Sequence, residues 1–275
     1  MALMKAAHDL APLAPALVQL SALVATASYS PIDVEDIVRL DGPLTGRLLQ
    51  YANSAANASH MRIGTVREAV MRVGVGPVLS FVAATTLRPQ LLDAIPAYGL
   101  SEGELWRHSV ATALACEVIA QKARVEVPPD SFTASLLHDI GKVVLARFLD
   151  LNHQRELAAA REQGGESSLR AEIELLGVHH AELGGLIGSH WNLPPRVIRG
   201  ITHHHAPTAG DDVICDVVHL ANVLAKRVGT GTFVTASDLD ADPDVLERLG
   251  LTAGRLPPLL DTVTHRLAET VQRFG

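Results

Sequence analysis

The chain has 275 residues, a formal net charge of −7 at neutral pH and a mean hydropathy of +0.20. Hydrophobic residues make up 48% of the sequence and charged residues 19%, a composition that excludes a disordered or polyelectrolyte protein. Nucleic-acid-binding surfaces need clustered cations and aromatic stacking residues, so the negative charge and an aromatic content of 4% argue against direct nucleic-acid binding. We therefore expect a globular protein with a sizeable buried core.

The cysteine content and the apolar segments indicate the compartment. Only two cysteines are present, Cys116 and Cys215, so neither a disulfide framework nor a cysteine-based zinc site is expected within the chain. The apolar stretch at residues 10–27 is interrupted by prolines and lacks a preceding basic region, which argues against a signal peptide. Elsewhere no apolar run reaches the ~18 residues that a transmembrane helix needs. These features predict a cytoplasmic protein without membrane contact.

Apolar residues recur at helical spacing through nearly the whole chain, and no long stretch alternates in the manner of a strand. The sequence therefore predicts an all-α protein. The first apolar stripe consists of Leu13, Leu17, Leu20 and Val24, and a second pattern runs over residues 34–49 through a turn at residues 41–43. A further helix is predicted over residues 79–87, ending at Arg88-Pro89 because proline disrupts a helix interior.

The loop around Pro96, Tyr98 and Gly99 predicts a boundary between two helical units, residues 1–98 and residues 99–275. Ser101-x-x-Glu104 has the form of a capping box and predicts a helix that continues to Ile119. The later predicted helices run from residue 132 through 139 and over residues 152–162, 167–176, 214–227, 244–249 and 259–273.

Histidines are unusually frequent, with thirteen in the chain. Several of them fall after Ser101, namely His108, His138, His180, His204 and His205. Imidazole is a common neutral ligand of first-row transition metals, and carboxylates are usually added to balance the charge of a divalent ion. Glu104 shares a helix face with His108, and Asp139 follows His138 directly. The pattern favours a divalent metal site.

The segment Leu136-Leu137-His138-Asp139-Ile140-Gly141-Lys142 resembles the signature of the HD superfamily of metal-dependent phosphohydrolases, with His108 at the upstream histidine. Six further segments, in a matching order, resemble the HDOD domain, an HD-related output domain of bacterial signalling proteins. They cover residues 40–45, 48–54, 69–74, 180–184, 190–194 and 201–207. The resemblance implies an N-terminal helical bundle packed on an HD-like helical bundle.

The resemblance also implies a set of site residues. Six residues match positions where the related HD-GYP phosphodiesterases place metal ligands: His108, His138, Asp139, His180, His204 and His205. One or two ions of iron, manganese, zinc or nickel are then expected, although the metal-free alternative, in which Asp139 holds a neutral imidazole, stays open. Glu104 matches one more ligand of some of those enzymes, but a plain capping role is the competing interpretation.

Two departures from the enzyme pattern bear on activity. Asn222 stands where the HD motif set ends in aspartate, so a carboxylate is replaced by a neutral amide. Ala206-Pro207 follows the histidine pair where the cyclic-di-GMP enzymes have Glu and Gly-Tyr-Pro. The resemblance therefore does not extend to cyclic-di-GMP hydrolysis.

Two functions remain open. HDOD domains are generally regulatory or output modules, which implies contacts with other signalling proteins, a structural or vestigial metal and no turnover. The alternative is a metal-dependent phosphohydrolase acting on a nucleotide or another phosphate ester, with Asp139 and Lys142 as catalytic residues; a solvated Lys142 is equally compatible with the pattern. No receiver, helix-turn-helix or P-loop signature is found, so we expect sensor and effector to be separate chains.

Overall fold

A computed structural model describes residues 13–26, 28–53, 63–147, 149–161, 165–231 and 239–274. Within these ranges the regular structure is helical, and the only strand-like pairing is an isolated bridge between Ile95 and Leu100. The prediction of an all-α fold is confirmed. None of the described helices combines the length and the apolar character needed to cross a membrane.

Five helices form the N-terminal part: α1 (Pro15–Ala25), α2 (Pro31–Val38), α3 (Gly42–Ala52), α4 (Val66–Val73) and α5 (Val75–Leu91). Side-chain caps define where α2 and α4 begin, because Ser30 with Asp33 and Thr65 with Glu68 form reciprocal capping boxes. The stripe predicted on the first helix is buried. It packs α1 against α2 and α5.

The predicted end of the fifth helix is wrong. Pro89 lies inside α5, which continues to Leu91. A proline this close to the end removes a single backbone donor from the last turn. Packing against the next long helix holds the segment helical, since the Trp106 indole N–H donates to the Ala84 carbonyl at 3.1 Å and the Arg88 guanidinium lies 5.6 Å from the Trp106 ring centre.

The second part follows a short 3₁₀ turn at Pro96–Tyr98. Its helices are α6 (Glu104–Ala120), α7 (Ser131–Leu137), α8 (Ile140–Leu145), α9 (Leu151–Arg161), α10 (Gly165–Leu176), α11 (His180–His190), α12 (Pro195–Thr202), α13 (Pro207–Gly210), α14 (Val213–Arg227), α15 (Pro243–Arg248) and α16 (Leu256–Phe274). The central helix α6 packs against α5, α7, α14 and α16, which explains why its sequence is apolar on nearly every face.

The buried apolar residues of both parts belong to one continuous core that runs from Leu13 to Leu267. Helix α5 joins the two parts because it packs directly on α6 and α7. The expected boundary falls in the short connection between α5 and α6. The division into residues 1–98 and 99–275 stays a prediction.

Two predicted helix limits near the histidines are wrong. Helix α6 begins at Glu104 and is preceded by Gly103 at a φ of 75°, so the predicted capping box forms only in part. The helix predicted to run through residues 138 and 139 instead ends at Leu137, and α8 begins at Ile140. His138 and Asp139 therefore lie in a turn between two short helices. Successive side chains of a continuous helix point about 100° apart, whereas this turn lets both side chains face the same region.

Gly141 allows α8 to lie directly against α11. A Cβ atom at this position would overlap the backbone carbonyl of His180 and would also lie 3.0 Å from the Gly184 nitrogen. Only glycine permits so close an approach of the two backbones. The approach brings Asp139, two residues earlier in the chain, next to His180.

We predict that Gly141→Ala lowers the free energy of unfolding by about 1–3 kcal/mol or more, because the added methyl group meets backbone atoms that cannot rotate away. Chemical denaturation followed by circular dichroism measures this change. Gly46→Ala in α3 is the matched control: no atom lies within 4 Å of its added Cβ, so stability should rise by up to about 1 kcal/mol. Equal stability of Gly141→Ala and the wild-type protein would contradict the close approach.

Candidate metal centre

The six predicted ligand residues meet in one place, which we call the histidine cluster: His108, His138, Asp139, His180, His204 and His205. His108 lies on α6, His180 begins α11, and His204 and His205 occupy the turn after α12. The potential ligand atoms form two groups, His108 with His138 and Asp139, and His180 with His204 and His205; within each group all atoms lie within 4.8 Å of one another. Their role as ligands stays a prediction.

The Asp139 carboxylate joins the two groups. Its Oδ2 atom lies 3.5 Å from His108 Nε2 and 3.4 Å from His138 Nε2. Its Oδ1 atom lies 3.2 Å from His180 Nε2 and 3.9 Å from His204 Nε2. One carboxylate thus presents one oxygen to each group.

Backbone carbonyls define the tautomers of two cluster histidines. His138 Nδ1 lies 2.7 Å from the Ser135 carbonyl, and His204 Nδ1 lies 2.7 Å from the Ile201 carbonyl. A carbonyl oxygen only accepts hydrogen bonds, so Nδ1 carries the proton in both rings. Each Nε2 therefore presents a lone pair to the centre of the cluster, as a metal-ligating histidine does.

His108 has a similar arrangement. Its Nδ1 atom faces the Thr230 hydroxyl at 3.3 Å, and that hydroxyl donates to the Ala225 carbonyl, which leaves its oxygen free to accept from His108. His108 Nε2 then lies 3.2 Å from His138 Nε2, so two lone pairs face each other beside a carboxylate. Such an arrangement is favourable only when a proton or a cation lies among these atoms.

Lys142 supplies one positive charge at the edge of the cluster. Its Nζ atom donates to Asp139 Oδ2 at 2.7 Å, and the ammonium lies 5.6 Å from the centre of the Tyr98 ring. The Lys142 side chain is 14% exposed, so it is neither fully solvated nor fully enclosed. The structure places Lys142 where it reaches both Asp139 and the solvent side of the cluster.

Glu172 on α10 belongs to the same network, and our sequence analysis missed it. Its carboxylate accepts hydrogen bonds from the His180 backbone N–H at 2.6 Å and from His180 Nδ1 at 2.9 Å. Glu172 is buried. The sequence does contain a signal, because an acidic residue stands between Leu169 and Leu176 at the 3-4 spacing of a buried helix stripe.

Two other predicted residues have different environments. The Glu104 carboxylate accepts a hydrogen bond from the Ser101 backbone N–H and lies outside both ligand groups, which supports the capping interpretation over a metal role. Asn222 is buried on α14, and its Oδ1 atom has no hydrogen-bond partner in the described part of the chain. His219 on α14 donates from Nδ1 to the His204 carbonyl at 2.8 Å and so supports the turn that carries His204.

Burial controls the protonation of the cluster. Removal from water lowers the pKa of His138 from 6.5 to about 4, and it lowers the pKa values of His108, His204 and His205 well below the usual range. Burial would also lower the pKa of His180, but the Glu172 and Asp139 carboxylates raise it instead.

The ionised form of Asp139 is favoured as well. Burial alone would raise its pKa, yet the neighbouring His138, Lys142 and His180 hold it well below the usual value of 3.8. Metal binding requires an ionised carboxylate and neutral imidazoles. Asp139 and the four histidines with lowered pKa values are already in these states, whereas His180 would have to release any proton on Nε2. His204 Nε2 and Asp139 Oδ1 are both buried and lack a hydrogen-bond partner among the described residues. This mixed nitrogen and oxygen donor set fits a divalent transition metal ion.

Acidification should destabilise the metal-free protein. The unfolded chain binds a proton at His138 near pH 6.5 but the folded chain only near 4, so lowering the pH from about 6.5 to about 5 should remove about 2 kcal/mol of stability through His138 alone. His180 acts in the opposite direction, because its raised pKa contributes stability that is lost as the pH rises. Denaturant titrations of chelator-treated protein across this range measure the slope. The His138→Gln variant should show a smaller slope of stability against pH. A wild-type protein whose stability does not change over this range would contradict the lowered pKa of His138.

Comparisons with known proteins agree with this architecture. A curated relative from Treponema pallidum (strain Nichols), known only as an uncharacterized protein, is 24% identical over 225 residues; the match covers 79% of this chain and 42% of the relative, so the chain spans less than half of the relative's length. Among solved structures, a candidate phosphohydrolase from Shewanella amazonensis SB2B has a TM-score of 0.70 at 22% identity, covering 100% of this chain and 98% of its own.

Two further structures share the fold. A candidate signal transduction protein from Marinobacter aquaeolei VT8 gives a TM-score of 0.75 at 21% identity over 97% of this chain and 59% of its own. An HDOD domain protein of unknown function from Geobacter sulfurreducens has a TM-score of 0.68 at 20% identity, covering 98% of this chain and 95% of its own. The family model for the HDOD domain matches residues 10–207, more than half of the sequence. The helical fold, the order of the motifs and this match together establish that the chain belongs to the HDOD domain family.

Proposed function

We propose that this protein is a regulatory module of cytoplasmic signal transduction that acts through contacts with other signalling proteins. In this proposal the histidine cluster holds a divalent ion, of iron, manganese, zinc or nickel, as a structural cross-link, and the protein turns over no substrate. The burial of the cluster is the observation that carries the proposal.

Five of the six cluster residues are 0–3% exposed, and only His205 has a larger accessible surface. A phosphate ester is hydrolysed only when its phosphorus comes within bonding distance of the activated water and its oxygens are contacted by the site. Side chains this deeply buried offer no surface for a charged substrate. Closure of the cluster supports a structural role over a catalytic one.

The charge of the cluster also supports a structural role. Asp139 is the single carboxylate of the six residues, and Lys142 already compensates part of its charge. Asn222 brings an amide where the related enzymes have a carboxylate, so one anionic ligand is missing. Two divalent ions would bring four positive charges against this small negative charge, so the charge balance favours one ion over two.

A bound ion would join segments that are distant in the sequence: α6, the turn between α7 and α8, α11, and the turn after α12. Among these segments, α6 packs directly on α5, the helix that joins the two parts of the fold. Ligand binding to the folded state alone stabilises it, by about 2.7 kcal/mol when the free ligand is at 100 times its dissociation constant. An ion at this position would set the relative arrangement of these helices.

Metal content, melting temperature and hydrolysis, measured on one preparation, test the proposal. We expect wild-type protein purified without a histidine tag or chelator to contain metal, to melt at a lower temperature after chelation, and to hydrolyse neither generic phosphate esters nor cyclic nucleotides. His138→Ala should abolish the difference between the chelated and unchelated melting temperatures. His265→Ala is the matched control, since His265 is exposed, lies outside the cluster and contacts Glu269.

Hydrolysis that disappears in His138→Ala and persists in His265→Ala would overturn the absence of turnover. Metal-free wild-type protein that cannot be reloaded would overturn the cross-link.

A metal-dependent phosphohydrolase is the second candidate, and the shared Asp139 carboxylate is the observation that favours it. Asp139 faces both ligand groups, and Lys142 lies against it where it could bind a charged phosphate oxygen. A divalent ion, when bound, supplies activation of water and polarisation of the phosphoryl group. In this role Asp139 would hold the metal, and Lys142 would stabilise negative charge on the substrate.

Asn222→Asp separates the two candidates. If the protein is a phosphohydrolase weakened by the amide, the restored carboxylate should raise phosphate ester hydrolysis above the wild-type rate. If the ion is structural, the variant should change metal retention alone. A rise in hydrolysis, measured with a chromogenic phosphate ester and the loaded protein, would favour the second candidate.

A further inference from the structure

Glu172 contacts a single cluster residue at two points. Its carboxylate accepts hydrogen bonds from both the backbone N–H and the ring Nδ1 of His180, at 2.6 and 2.9 Å. His180 is the first residue of α11, so its N–H has no acceptor within the helix. Glu172 satisfies this donor and places its negative charge at the positive end of the helix. The same carboxylate therefore holds the main chain and the ring of His180.

These two contacts determine where the other ring nitrogen points. With Nδ1 donating to Glu172, His180 Nε2 faces Asp139 Oδ1 at 3.2 Å and His205 Nε2 at 3.0 Å. Rotation of the ring would break the bond to Glu172 and leave a 1%-exposed carboxylate with less compensation. The orientation of His180 thus depends on Glu172.

The histidines of the other ligand group have different hydrogen-bond partners. His108 and His138 are held by the Thr230 hydroxyl and the Ser135 carbonyl, which belong to other parts of the chain. The two groups share Asp139 but not their outer hydrogen-bond partners. A change at Glu172 should therefore affect the group of His180, His204 and His205 first.

We propose that Glu172 is a positioning residue that aims His180 Nε2 at a divalent ion, so that metal affinity of the His180 group depends on a carboxylate that itself contacts no metal. The inference rests on the proposed metal binding and names the residue of α10 that controls it. Outer hydrogen-bond partners of metal-ligating histidines typically contribute about 10–100-fold to metal affinity.

The test uses Co²⁺ titration of full-length, chelator-stripped protein at about pH 8.5, where proton competition for imidazole is small. We expect Glu172→Gln, which keeps the size of the side chain but not its charge, to weaken Co²⁺ binding by about 10–100-fold. Glu174→Gln is the matched control, because Glu174 lies on the same helix but is exposed and contacts Arg170. The Co²⁺ affinity of this control variant should equal that of the wild type.

A double-mutant cycle separates positioning from general stabilisation. If Glu172 acts through His180, then Glu172→Gln should cause no further loss of Co²⁺ affinity in a His180→Ala background. A purely structural role would lower affinity in both backgrounds to the same degree. Additive losses would therefore overturn the inference.

A measurement on the wild-type protein requires no substitution and covers the case in which the variants fail to fold. Long-range ¹H–¹⁵N spectra of the metal-free protein should show a proton on Nδ1 of His180. An Nδ1 atom without a proton would overturn the inference. Wild-type protein that binds no Co²⁺ would overturn both the proposed function and this inference, whereas normal Co²⁺ binding with an unchanged Glu172→Gln variant would overturn the inference alone.

Discussion

The Asp139 carboxylate is the group on which the arrangement of the second helical bundle depends. It is buried and ionised among histidines from four segments, with one oxygen facing each ligand group. A buried charge is costly unless it is compensated, and here Lys142 and His180 supply the compensation. A shift of α8 or α11 would remove one of these partners. The electrostatic requirement of one side chain therefore holds several helices in place.

Two local features make this arrangement possible. The break between α7 and α8 places His138 and Asp139 in a turn, where adjacent side chains face one region. Gly141 then lets α8 approach α11 until their backbones touch. Without the break the two side chains would point apart, and without the glycine His180 would be too distant from Asp139. The segment at residues 136–142 therefore determines helix packing as well as the chemistry of the cluster.

Burial distinguishes what the cluster is able to bind from what it is able to catalyse. Its donor atoms and tautomers suit a divalent ion, and the outer partners of His138, His204 and His180 are the acceptors that metal-ligating histidines commonly have. In the proposed function, the same enclosure keeps these atoms away from a charged substrate. A buried donor set with little access is consistent with the proposed regulatory role, in which the ion supports structure, and the neutral Asn222 agrees with that interpretation.

The sequence by itself determined the helical class, most helix positions and the six residues of the histidine cluster, because apolar periodicity, capping residues and motif order are local properties of the chain. The tertiary structure decided the rest. Pro89 stays within α5 because Trp106 packs against the last turns of that helix. The helix break after Leu137 lets Asp139 face His180, which lies about forty residues later in the chain. Glu172 entered the network only through α10 meeting the start of α11. These outcomes depend on which surfaces meet in three dimensions, and local sequence patterns do not encode that contact.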